Sequence, residues 1–117
     1  MTVVAALIDN EPLSQVVFVH DYVQLVFQDT SLSVYCSMSI ASPRDSIGWR
    51  GLGWCDALVA LIGQSVNSVD YLPRDHLRIT FSDASVLRIC LLASRATSDE
   101  LFRIDRLGSP TIVEQVA

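Results

Sequence analysis

The sequence predicts an α+β fold: a mostly antiparallel sheet of six to seven strands with two helices on one face, built from two hairpin-helix-strand repeats. Three observations predict it. Residues 31–40 alternate strictly between apolar and polar side chains, a stretch 54 positions (75 − 21) beyond the first hairpin repeats it, and two apolar segments at helical spacing each end at a glycine.

From Ser31 to Ile40, Leu32, Val34, Cys36, Met38 and Ile40 share one face, and Ser31, Ser33, Tyr35, Ser37 and Ser39 the other. That is a one-sided strand. Val23, Leu25 and Phe27 alternate in the same sense before it, and Asp29-Thr30-Ser31 supplies the turn of a hairpin. An earlier strand, Val16 to His20, pairs with this hairpin, and Pro12 and Pro110 mark breaks at either end. The second copy aligns residues 75–85 on residues 21–31, matching Phe81 with Phe27, Asp83 with Asp29 and Ser85 with Ser31. After the first hairpin, Trp54, Leu58, Leu61 and Ile62 make a helical stripe stopped by Gly63. After the second, Thr97 three residues before Glu100 reads as a capping box for a helix from Ser98 to Arg106, with Leu101, Ile104 and Phe102 as its inward candidates and Gly108 beyond. Each helix leads into a β-rich run, Ser65 to Leu72 and Thr111 to Val116. The expected organisation is one domain, residues 1–117, with repeat units of about 16–72 and 73–117.

Leu58-Val-Ala-Leu-Ile-Gly-Gln-Ser-Val-Asn-Ser-Val69 and Leu77-Arg-Ile-Thr-Phe-Ser-Asp-Ala-Ser-Val-Leu-Arg-Ile89 resemble segments of small uncharacterised bacterial α+β proteins, some of them similar to toxin-immunity proteins. The resemblance covers about a third of the chain. Its matching residues are a helix, a glycine stop and a Phe-x-Asp turn, so it implies a fold and carries over no catalytic residue.

Half of the 117 residues are apolar and 18% are charged, enough apolar surface to form one core without staples. The net charge of −5 repels phosphate backbones and argues against nucleic acid as a partner. All eight basic residues are Arg, which excludes Schiff-base and phosphate-loop chemistry that needs a Lys amine. Cys36, Cys55 and Cys90 are odd in number and form no C-x-x-C pair, which fits a reducing cytoplasm. Met1 to Ile8 is apolar without a basic flank, so no signal peptide is expected, and no stretch approaches the roughly 20 apolar residues of a membrane span.

Gly48-Trp49-Arg50-Gly51-Leu52-Gly53-Trp54 is the most unusual stretch. Its glycines before a helix suggest an anion site helped by Arg50, yet Asp56 stands where a dinucleotide fingerprint needs its third glycine. The competing readings are a loop whose Trp54 packs in the core, and Trp49 and Arg50 as anchors of a protein interface. His20 with Asp21 and His76 with Asp75 sit at equivalent hairpin entries, where two imidazoles and two carboxylates converging across the repeat would bind zinc. Asp29 and Asp83 read as turn residues, and the cysteines as buried thiols. Gln24, Gln28, Tyr35, Arg78, Thr80 and Arg88 are expected on one polar sheet face, with Val26 and Cys90.

The reading that follows is a non-enzymatic protein-binding module, inhibitor or immunity-like, with Trp49, Arg50, Tyr35, Arg78 and Arg88 as contact residues and no cofactor. The alternatives are a small-ligand or metal-dependent enzyme using His20, His76 and nearby Asp residues, and a structural subunit of a homo-oligomer. A homodimer is expected, with the edge strand Thr111 to Val116 pairing across a symmetry axis.

Overall fold

The computed structural model describes residues 2–8, 11–92 and 99–115. In chain order they form helix α1 (Val3–Ile8), strands β1 (Gln15–Phe18), β2 (Val23–Val26), β3 (Thr30–Val34), β4 (Met38–Ala41) and β5 (Ser46–Ile47), helix α2 (Trp54–Val59), and strands β6 (Val66–Leu72), β7 (His76–Phe81), β8 (Val86–Cys90), β9 (Glu100–Arg106) and β10 (Ile112–Gln115). The strands make two five-stranded antiparallel sheets, ordered β1-β2-β3-β9-β10 and β5-β4-β8-β7-β6. The α+β, antiparallel character is as predicted; the single sheet of six to seven strands is replaced by two sheets.

The reason lies at Cys36. Leu32, Val34, Cys36, Met38 and Ile40 are all buried, as the alternation requires. On the amino side of Cys36, however, β3 pairs with β9, and the Tyr35 N–H donates to the Leu101 carbonyl at 2.9 Å. On its carboxyl side the Ser37 carbonyl accepts from the Cys90 N–H at 2.9 Å and β4 pairs with β8. One extended run thus leaves the first sheet and enters the second. Alternation fixes which face is buried and is silent on which neighbour the strand joins.

The expected helix from Ser98 to Arg106 is instead β9; Ser98 and the capping Thr97 lie outside the described residues. Phe102 and Ile104 are buried while Arg103 and Asp105 face outward, where the Arg103 guanidinium donates to the Asp105 carboxylate at 3.0 Å. Residues two apart share a face in a strand and not in a helix, so this ion pair belongs to a strand. With a strand over residues 100–106 in place of the second helix, the hairpin-helix-strand unit occurs once among the described residues. Both hairpins do form. Each closes on a fully buried phenylalanine, whose N–H donates at 2.8 Å to Thr30 for Phe27 and to Ser85 for Phe81. The second turn is one residue longer, with Asp83 accepting the Ser85 N–H at 2.9 Å.

Helix α2 begins where expected but is short. Gly53 precedes it with a left-handed φ of 79°, a conformation that costs a side-chain-bearing residue about 1 kcal/mol. After Val59 the chain tightens, with Leu61 and Ile62 donating three residues back, and stops at Gly63 with φ 94°. Helix α1 was not expected as a helix. Thr2 caps it, and Val3, Ala6 and Leu7 are buried on the side that packs against β6. The inward faces of both sheets and both helices share one core, with Phe27, Phe81 and Phe102 at zero exposure.

The two-sheet arrangement also divides the expected polar face. Gln24 and Tyr35 lie along the first sheet, whereas Arg78, Thr80, Arg88 and Cys90 are outward positions of β7 and β8 in the second. Among the described residues β10 (Ile112–Gln115) stands at a sheet edge, as predicted for this part of the run Thr111 to Val116, while Val116 lies outside the described residues; its register slips at a bulge between Glu114 and Gln115. No helix among the described residues is long and apolar enough to cross a membrane.

Candidate functional site

The site grows from the loop between β5 and α2. Gly51 donates to the Gly48 carbonyl at 2.9 Å and Trp54 to the Gly51 carbonyl at 3.0 Å, so successive turns consume these amides. Those two amides are therefore engaged within the loop and are not donors for an anion. A Cβ on Gly51 would come within 3.2 Å of the Gly48 oxygen, a tight contact that favours glycine at this turn. Arg50 takes a left-handed φ of 54°, and its guanidinium lies 4.9 Å from the centre of the Trp49 ring, a cation–π contact.

Trp54 anchors this loop. It is 4% exposed, and its indole N–H donates to the Met38 carbonyl at 3.2 Å. Its ring meets Trp49 edge to face at 4.9 Å and Phe18 at 6.2 Å. Trp49, half-buried, thereby becomes a partition between two pockets. On one side a pocket of about 240 Å³ is walled by Phe18, Tyr22 and Val23 from the first sheet and by Trp49, Arg50, Trp54 and Cys55 from the loop and α2. On the other, a pocket of about 200 Å³ is walled by Trp49, Ser37, Ser39, Arg88 and Cys90 on the second sheet. Leu52, fully exposed, lies in the same loop between Gly51 and Gly53.

Of the residues singled out by sequence, the structure brings Trp49, Arg50 and Arg88 to this place. Tyr35 lies on the first sheet, its ring 5.1 Å from that of Tyr22, and burial raises its phenol above the usual range. Arg78 is bound to the Asp70 carboxylate at 2.8 Å. Phe18 and Tyr22, which bracket the β1–β2 turn, and Ser37 and Ser39, whose alternation marks only the polar side of a strand, are not singled out by the sequence. A large aromatic at an edge position is the one signal Phe18 offered.

The two histidines do not share a site. His20 is almost wholly exposed and pairs only with its neighbour Asp21 at 3.6 Å, while His76 opens β7 in the other sheet, between Asp70 at 3.0 Å and Asp75 at 3.7 Å. Among the described residues no three His, Cys, Asp or Glu side chains are placed to hold a metal ion. The convergence of His20 and His76 expected for a shared zinc site is therefore not formed among the described residues. Cys36 is buried, which pushes its thiol up to about 12, and its S–H points at the Leu101 carbonyl at 3.5 Å; such a thiol stays protonated and is a poor nucleophile.

Asp70 offers a pH test. The hydrogen bond from Arg78, then that from His76, holds its carboxyl below the usual carboxylate range. A depressed folded-state value gives stability that is present above the unfolded value, about pH 4, and is lost as pH falls through the folded one. Asp70→Asn is therefore expected to melt with a shallower decline than the parent between pH 5 and pH 2, and the difference is expected to shrink in high salt because the group is exposed. Thermal melts across that range measure it; parallel declines would show that the Asp70 cluster contributes nothing.

Comparison with protein-family models, with curated proteins and with solved structures yields no match to this chain.

Proposed function

We propose that the protein is a non-enzymatic binding module that grips a protein partner across the Trp49 ridge. The observation that carries this is the ridge itself: a tryptophan held edge-on by a buried second tryptophan, faced by Arg50, with an apolar pocket on one side and exposed Leu52 in the same loop. Trp, Tyr and Arg are the residue types that dominate interface energetics, and a preformed pocket lowers the ordering cost of binding. The first pocket suits one apolar side chain of a partner. An immunity-type inhibitor, covering its target by surface contact, is the form of such a module that the sequence resemblance favours, and the free cysteines suit a reducing cytoplasm.

The test is affinity isolation from native extract with wild type, Trp49→Ala, Leu52→Asp and the distant control Arg74→Gln. One stoichiometric protein retained by wild type and control is expected to fall at least tenfold with Trp49→Ala. Equal recovery by all four variants contradicts the ridge. The homodimer is the second reading, favoured by the edge position of β10, where Val113 is 39% exposed. Its bulge and Glu114 blunt that edge, so a monomeric mass in solution is the outcome expected here.

A further inference from the structure

We propose that the second pocket, centred on Arg88, is an oxyanion-binding site. Arg78 and Arg88 are direct cross-strand partners on β7 and β8, and both point outward. Like charges set opposite one another destabilise a sheet unless something neutralises them. Arg78 has its counter-ion in Asp70 at 2.8 Å. Arg88 has no carboxylate at ion-pair distance among the described residues, in a chain with 13 acidic and eight basic side chains. With no carboxylate partner among the described residues and an arginine across the strand, the exposed Arg88 guanidinium is open to an anion from outside.

The pocket around Arg88 is suited to that anion. Ser39 is its cross-strand partner on β4, and Ser37 lines the same pocket two residues earlier on that outward face. Two hydroxyls and a guanidinium fork are donors matched to phosphate or carboxylate oxygens. The volume, about 200 Å³, holds a charged group and the few atoms that carry it, less than a whole drug-sized ligand. Met38, Cys90 and Trp49 complete the lining, Trp49 offering an apolar surface for the carrier. The recognised chemistry is thus an oxyanion on a short apolar or planar stem. It reaches the site either on a phosphorylated small molecule or as an acidic side chain, and the proposal stands whether or not the ridge binds a protein.

The experiment titrates inorganic phosphate, and separately acetate, into the full chain at constant ionic strength, following the Arg88 Nε–H and Trp49 indole N–H resonances by NMR. Both signals are expected to shift saturably in wild type. Arg88→Gln is expected to weaken binding at least tenfold, Ser39→Ala about threefold, and Arg44→Gln not at all, while Arg88→Lys retains part of the response because it keeps charge without the fork. Tighter phosphate binding identifies a phosphoryl ligand and tighter acetate binding a carboxylate. In low-salt chloride, relief of the Arg78–Arg88 repulsion is expected to leave Arg88→Gln melting about 2 °C above wild type. The proposal is overturned if neither anion gives a saturable shift, if Arg88→Gln responds as wild type does, or if that variant melts clearly below wild type, which would reveal an internal partner for Arg88.

Discussion

Trp54→Ala is expected to lower the stability of the folded chain by about 3–5 kcal/mol, the range for removing a large buried aromatic side chain. The residue is 4% exposed, donates its indole N–H to the Met38 carbonyl and meets both Phe18 and Trp49 edge to face. Its removal opens a cavity beneath the loop, strips one wall from the larger pocket and frees Trp49 to turn. Since small domains are held by roughly 5–15 kcal/mol in total, the urea midpoint should fall by about a fifth or more. Trp49→Ala, which removes a half-buried ring, is expected to cost about 1–2 kcal/mol. Urea titration followed by circular dichroism separates them, and equal midpoints for the two variants would mean that Trp54 is not the anchor.

Phe102→Ala is the second large effect, again about 3–5 kcal/mol. Phe102 is fully buried on β9, opposite Val34 of β3, and its ring meets Tyr71 of β6 edge to face at 5.8 Å. It therefore joins the first sheet to the second. Tyr71 in turn donates its hydroxyl to the Glu114 carboxylate on β10, and burial raises that phenol above its ordinary range. Arg103→Ala, one residue away on the exposed face, is expected to leave the urea midpoint nearly unchanged. Urea midpoints that alternate in this way along residues 102–105 are the signature of a strand, whereas a penalty recurring every third or fourth residue would belong to a helix.

Local chemistry made a good part of this legible. The one-sided run 31–40, both hairpins, the β1 pairing, the start of α2 and the stop at Gly63 were readable because alternation, turn residues and a glycine with positive φ act over a few residues. What failed was long-range or ambiguous at short range. The passage from β3 into β4 leaves the alternation unbroken, so nothing in residues 31–40 distinguishes one sheet from two. In 100–106, Leu101, Phe102 and Ile104 satisfy a short helical stripe as well as a strand, and only the partner β3 decides. The site suffered for the same reason. Trp49, Arg50 and Arg88 were recognisable by residue type, but their neighbours Phe18, Tyr22, Ser37 and Ser39 reach them through the crossing of the chain between sheets.

That crossing is what sets Trp49 at the seam, with the first sheet on one side and Arg88 on the other. Cross-strand nuclear Overhauser contacts test it most directly: Leu32 should approach Ile104 while Ile40, eight residues further along the same run, approaches Leu87. Sequential helical contacts through residues 100–106, or Leu32 and Ile40 both bordering the β7–β8 hairpin, would contradict it.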